Sequence, residues 1–248
     1  MPRLFVPADR LAGRVARLTG AEVRHLRALR LRPGSPITIF DDRNNEYDAV
    51  LRRIAPRAAE IEIRSALAAF RSPGPPITLI AGILKGQRMD MLVEKTTELG
   101  VRRIVPALTE LTVARPRGTQ SARTDRWRRL AVSAATQSGR ASVPSIDSPV
   151  PFADTVYAAP RDALRVILWE RETGVTFPAI HLSEPAPTMI VVATGPEGGF
   201  TAAEVELARE AGFAVSGLGA HILRAETAAI VALALCQLMW GELTTAAG

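Results

Sequence analysis

The chain has 248 residues, is 47% hydrophobic and carries a formal net charge of +6; that is enough apolar content to bury a full core, in one large domain or two modest ones, and it excludes a disordered chain. A single cysteine, Cys236, excludes a disulfide framework and a cysteine metal site. The charge is uneven: residues 1–140 hold 26 Lys and Arg against 13 Asp and Glu, and residues 141–248 hold 5 against 12.

A basic first part suits a polyanionic partner, because Lys and Arg displace counterions from phosphates. Nearly all of the basic residues are Arg, which matches bidentate phosphate contacts, although a GC-rich genome would enrich Arg as well. The N-terminus, Met1 to Asp9, has no basic start followed by an apolar stretch, so a signal peptide is not expected and a cytoplasmic protein is.

In chain order, Gly20 to Leu29 reads as a short helix with a basic face. Alternating segments at Pro36–Phe40, Tyr47–Leu51 and Ala59–Arg64 read as strands parted by turn residues such as Asp41 to Asn45. A small β-barrel domain over residues 1–71 is expected. The stretch Arg71 to Pro76 (Arg-Ser-Pro-Gly-Pro-Pro) is stiff and turn-prone, as a linker would be.

From residue 72 to 248 strands alternate with helices, which predicts an α/β domain with a mostly parallel sheet. Strands are expected at Ile77–Gly82, Val101–Pro106, Leu164–Trp169 and Met189–Thr194, and helices at Met89–Leu99, Thr124–Ser138, Ala202–Ala211 and Glu226–Leu243. The apolar run Ala228 to Trp240 is too short to span a bilayer and is interrupted by Gln237; it reads as a core helix that buries Cys236 as a small hydrophobe.

Two segments carry chemistry. In Met189 to Glu204 an apolar strand runs into a glycine-rich turn and then a helix started by a Thr201/Glu204 capping box. The turn lacks both the dinucleotide spacing and the P-loop lysine, and Glu197 would repel a phosphate. It suits a ligand approached by backbone at Gly195, Gly198 and Gly199, with carbonyls and carboxylates as acceptors for ribose hydroxyls and an adenine amine, as in S-adenosylmethionine. A plain strand-to-helix connection would use the same glycines.

In the second segment, Leu218 to Ala229, a glycine turn leads through Arg224 and Glu226 into the apolar final helix. An acidic residue at a helix start is ordinary; a cation there is disfavoured by the helix dipole, which marks Arg224 as the stronger functional candidate.

Lys85-Gly-Gln-Arg-Met-Asp90, Glu94 to Gly100, Arg126-Trp127 with Gln137 to Arg140, Gly195-Pro-Glu-Gly-Gly199, and Leu218-Gly-x-x-Ile-Leu-Arg-x-Glu-Thr-Ala228 stand in the order found in one family. In these motifs the chain resembles the RsmE family of 16S ribosomal RNA uridine N3-methyltransferases, within the SPOUT superfamily. His221 stands where the family usually has Arg, and Leu111 is neutral where a basic residue is frequent.

The resemblance implies an N-terminal PUA-like β-barrel that binds RNA and a SPOUT methyltransferase domain with a deep trefoil knot, a feature that periodicity does not show. It implies S-adenosylmethionine held by Leu168, Trp169 and Glu170, by Thr194, Gly195, Glu197, Gly198 and Gly199, and by Leu218, Gly219, Ile222, Leu223, Thr227 and Ala228. It also implies a homodimer, consistent with a last helix apolar all round. RNA contacts would fall to Arg24, His25, Arg27, Arg30, Lys85, Arg88, Arg126 and Arg140; no metal and no membrane are expected.

For methylation at uridine N3 the N–H must be lost, and Arg224 would stabilise the anion that results. Glu197 and Glu226 are candidate proton acceptors by location only, and a water relay serves equally. A SPOUT enzyme acting on another RNA position, such as a 2′-hydroxyl, and a non-catalytic RNA-binding assembly factor are the rival readings. A nucleotide-binding oxidoreductase is weaker, for want of the dinucleotide fingerprint.

Overall fold

The computed structural model describes residues 1–11, 13–68, 74–113, 120–177 and 187–244; the first half of the expected linker, residues 71–73, lies outside them. The chain divides into two compact units, Met1–Arg71 with Val132–Val143, and Ser72–Ala131 with Pro144–Gly248.

In the first unit five strands, β1 (Arg3–Phe5), β2 (Val15–Thr19), β3 (Pro36–Phe40), β4 (Glu46–Ile54) and β5 (Ala58–Leu67), form a curled sheet in the order β1-β3-β4-β5-β2. Only β1 and β3 run parallel. On one face of this sheet Leu4, Leu18, Ile37, Ile39, Leu51 and Ile61 are buried together with Val23 and Leu26 of helix α1 (Ala21–Ala28). The β3–β4 turn is fixed by Asp41, whose carboxylate accepts from the Arg43 and Asn45 backbone N–H groups at 2.8 and 2.9 Å. β1 and β2 are not evident in the sequence, the one for its three residues, the other because an exposed Val15 beside the small Ala16 blurs its alternation.

The second unit is an α/β domain. Strands β6 (Ile77–Gly82), β7 (Arg103–Leu108), β8 (Ser145–Ile146), β10 (Leu164–Leu168), β11 (Ile190–Thr194) and β12 (Ala214–Ser216) order as β12-β10-β11-β6-β7-β8, and β9 (Val150–Pro151) adds to β7. Every pairing is parallel. β11 is buried at all five positions, as a central strand covered on both faces must be, and its Ile-Val-Val-Ala-Thr sequence shows no alternation for that reason.

The helices are α2 (Gln87–Glu98), α3 (Gln120–Ser138), α4 (Phe152–Tyr157), α5 (Ala202–Glu210) and α6 (Ala225–Trp240). α2 closes at Gly100 (φ +79°) with Gly100 N–H to the Thr97 carbonyl and Val101 N–H to the Thr96 carbonyl, a Schellman ending. α6 packs on α2, and Gln237 ties their ends by donating Nε2 to the Leu99 carbonyl at 2.7 Å. Among the described residues no helix is long and apolar enough to cross a membrane, and no group of three or more His, Cys, Asp or Glu is placed to hold a metal ion.

Candidate active site

Three neighbouring strands, β12, β10 and β11, end at the same edge of the parallel sheet, and open α/β sheets bind ligands outside the carboxyl ends of their strands. The segments that leave them, residues 168–172, 194–199 and 216–225, wall a cavity of about 460 Å³.

The glycines of these turns are required by contact. Gly199 has φ +72°, and a Cβ on it would stand 2.9 Å from the Glu170 carboxylate. A Cβ on Gly217 would stand 2.2 Å from the Glu172 carbonyl oxygen. Backbone and carboxylate therefore meet with no room for a side chain, and the wall presents peptide groups to whatever fills the cavity.

Around this turn the geometry is held from outside. Thr201 accepts from the Glu204 N–H, and the Glu204 carboxylate accepts from the Thr201 and Glu110 N–H groups, at 3.0 and 2.9 Å; the capping box of α5 thus also anchors the segment after β7. Glu172 Oε1 takes the Gly174 and Val175 N–H groups at 2.7 and 3.1 Å, rigidifying the segment after β10. The Arg171 guanidinium sits 6.0 Å from the Trp169 ring centre.

The wall is mixed. Leu168, Leu218, Ile222, Leu223 and Ala228 supply apolar surface, Glu170, Glu172 and Glu197 supply carboxylates, and Arg88, His221 and Arg224 supply nitrogen groups. Buried in residues of the wall, Thr194 Oγ1, Trp169 Nε1 and Glu197 Oε2 have no hydrogen-bond partner among the described residues. Unpaired buried polar atoms are costly, so a ligand with hydroxyl, amine and carboxylate groups that they reach by small rotations fits the site. Three carboxylates against two guanidinium groups leave the wall slightly acidic, which favours a ligand with a cationic group over one that bears phosphates.

Of the residues expected to hold a cofactor, Leu168, Trp169, Glu170, Thr194, Gly195, Glu197, Gly198, Gly199, Leu218, Gly219, Ile222, Leu223 and Ala228 line the cavity; Thr227, in the first turn of α6, does not. Arg224 lines it as the N-cap residue of α6, exposed and with no side-chain capping bond. Glu226 lies outside the wall and is buried (6% exposed).

Among the residues expected to touch RNA, Arg88 lines the cavity and Lys85 is exposed close by in sequence. Arg126 is engaged by Asp90. Arg24, His25, Arg27 and Arg30 are exposed on or just after α1 in the first unit, where Arg140 also belongs. Residues missed by the sequence reading are Glu172, Pro196, Ser216, Gly217, His221 and Ala225. Ser216 ends, and Gly217 follows, a three-residue strand too short for any period to reveal, whereas Pro196, His221 and Ala225 lie inside motifs that the sequence marks.

The sheet, the glycine turns and the cavity at its strand ends are those of an RNA methyltransferase domain, the family that matches residues 71–237; an RNA methyltransferase PUA domain matches residues 18–64. A ribosomal RNA small subunit methyltransferase E from Synechocystis sp. is 32% identical over 94% of this chain and 76% of its own length. One from Bacillus subtilis is 28% identical over 87% of each. The crystal structure of a ribosomal RNA small subunit methyltransferase E from Neisseria gonorrhoeae bound to S-adenosyl methionine superposes with a TM-score of 0.89 at 35% identity, covering 97% of this chain and 98% of that one. The chain belongs to the ribosomal RNA small subunit methyltransferase E family.

Proposed function

We propose that this chain is a cytoplasmic enzyme that transfers the methyl group of S-adenosylmethionine to N3 of a uridine in 16S ribosomal RNA. The observation that carries the reading is the convergence, on one cavity, of three motif segments far apart in sequence, in a chain whose relatives are ribosomal RNA small subunit methyltransferases. The wall residues of the three segments hold the cofactor, with Glu170, Thr194 and Glu197 as polar partners. When bound, the cofactor supplies an electrophilic methyl group.

The protein then has to place the base and stabilise charge. Arg224, at the cavity and without an ion-pair partner among the described residues, faces the positive end of the α6 dipole; an anion beside it relieves that repulsion. It stabilises the imide that forms as N3–H is lost. Glu197 is a wall residue and Glu226 is not, so of these two carboxylates Glu197 alone stands where a proton could be taken up directly.

RNA is gripped by the exposed arginines at α1 and by Lys85 and Arg88. A homodimer covers the apolar residues that the monomer leaves open on α6 and α2, Leu238 (51% exposed) and Met91 (50%) among them, and light scattering in solution measures it. The trefoil knot of the superfamily is part of the same reading.

The test of function is transfer of labelled methyl from S-adenosylmethionine to small ribosomal subunits that lack the modification, with mass spectrometry of the nucleosides. N3-methyluridine is the expected product. A different methylated nucleoside overturns the position, and absence of label with the cofactor bound overturns the substrate.

A further inference from the structure

Glu197 reaches out of its own turn. Its Oε1 accepts the Lys85 backbone N–H at 2.9 Å and lies 3.6 Å from Arg88 Nη1. Lys85 sits in the turn between β6 and α2 and Arg88 in the first turn of α2, while Glu197 sits in the turn between β11 and α5. The two turns leave adjacent strands, since β11 pairs with β6 as far as Thr194 opposite Ala81. They also touch through backbone: a Cβ on Gly82 would stand 2.4 Å from the Pro196 nitrogen. One backbone approach and one carboxylate thus fasten the glycine turn of the cavity to the start of α2.

The far end of this contact is cationic and open. Arg88 lines the cavity with its side chain half exposed (50%), whereas Glu197 is largely covered (19%). A separation of 3.6 Å is a loose ion pair, and it leaves most of the guanidinium N–H groups free for a second anion. The Lys85 ammonium is exposed and has no partner among the described residues. Glu197 therefore fixes the backbone from which the Lys85 side chain projects and faces Arg88 loosely, without engaging the Lys85 ammonium.

We infer that Glu197 is a positioning residue that couples the two ligands: by holding Lys85 and Arg88 against the Gly195–Gly199 turn, it lets occupancy of the cavity set where these cations meet RNA phosphates. The inference rests on the reading above, in which the cavity takes S-adenosylmethionine and Lys85 and Arg88 face RNA. A carboxylate that only braced the start of α2 would add stability and would leave the binding of one ligand indifferent to the other. Coupling between sites is a free energy shared equally by both, so it is measurable from either side.

The experiment titrates the full chain with small-subunit ribosomal RNA transcribed in vitro, with and without saturating S-adenosylhomocysteine, which binds without reacting. The affinity of the analogue alone is measured by calorimetry. In the wild type, RNA affinity is expected to rise about fivefold or more with the analogue bound. In Glu197→Ala the ratio falls to about one; because Glu197 also lines the cavity, the analogue is expected to bind this variant more weakly, and each RNA titration is run at an analogue concentration that saturates the variant by its own calorimetric titration. Glu197→Gln keeps an acceptor for the Lys85 N–H but loses the charge opposite Arg88; it gives an intermediate ratio and controls for a folding defect in the alanine variant. A ratio near one in the wild type, or a wild-type ratio preserved in both variants, overturns the coupling. Failure of the analogue to bind the wild type overturns the cofactor reading itself, a result distinct from binding without coupling.

Discussion

Arg126 on α3 grips Asp90 on α2 through two hydrogen bonds, Nε to Oδ1 at 3.1 Å and Nη2 to Oδ2 at 2.6 Å. The hydrogen bond and the charge of Asp90 raise the guanidinium pKa further above its ordinary value. A fork engaged on both prongs has less to offer a phosphate. Arg126→Ala and Asp90→Ala should then lower the melting temperature by similar small amounts, since the arginine is largely exposed. The check is the salt dependence of RNA binding. A slope reduced by about one in Arg126→Ala alone would assign the residue to a phosphate instead.

Arg30 occupies a position where three of the other helices use glycine. α1 ends in a Schellman motif, with Arg30 N–H to the Arg27 carbonyl and Leu31 N–H to the Leu26 carbonyl, and Arg30 has φ +53°. Gly100, Gly139 and Gly212 do the same work after α2, α3 and α5. A side chain in this conformation costs on the order of 1 kcal/mol relative to glycine. Arg30→Gly should therefore raise stability by about that amount, a rise of roughly 2 °C in the melting temperature, while RNA affinity falls and the salt slope drops by about one. Stability raised with RNA binding untouched would remove Arg30 from the interface.

Much of the fold could be read from the chain because its long elements obey one period each: β3 alternates, β11 is continuously apolar, and α2 ends at a glycine. What could not be read was short or depended on the tertiary fold. β12 has three residues, and its place beside β10 is decided by packing alone. The cavity motifs were visible as glycine turns, but their convergence was implied by the family resemblance alone, since nothing local places residues 168–172 beside 194–199 and 216–225. Glu197 shows the limit best. Its spacing marks it as part of the turn, yet the hydrogen bond that gives it a partner spans 112 residues.

Cys236 is buried against the core, and burial pushes its thiol pKa up to about 12. The folded thiol stays protonated where an unfolded one, with a pKa of about 8.5, ionises. Stability from this group is therefore complete below that pH and is lost as pH rises through the window up to about 12, at roughly 1.4 kcal/mol per unit. Two results are expected: alkylation at pH 8 only as fast as the helix opens, and a Cys236→Ser variant whose stability falls less steeply between pH 9 and about 10.5. Rapid alkylation of the folded protein would contradict the buried placement.

Gly199 offers a direct test of the cavity wall. Alanine there must adopt φ +72° and place its Cβ 2.9 Å from the Glu170 carboxylate. The positive φ strains the turn, and the close approach pushes aside the Glu170 carboxylate, itself a group of the cavity wall. Gly199→Ala should weaken S-adenosylhomocysteine binding by at least about tenfold, or roughly 1.4 kcal/mol. Calorimetry measures that, and unchanged binding would take the ligand away from this turn.

Arg224 separates binding from chemistry. It lines the cavity at the N-cap of α6, where a cation gains nothing from the helix and makes no capping bond. If it acts on charge that develops on the base, its removal lowers kcat without a matching loss of cofactor affinity. Arg224→Ala should reduce kcat on the order of a hundredfold, the usual loss when one preorganised donor is removed. Arg224→Lys keeps the charge but not the planar fork, and should recover part of that loss. Single-turnover methyl transfer at saturating RNA reads the effect free of product release. A rise in KM for RNA with kcat intact would instead make Arg224 a binding residue, acting equally on ground state and transition state.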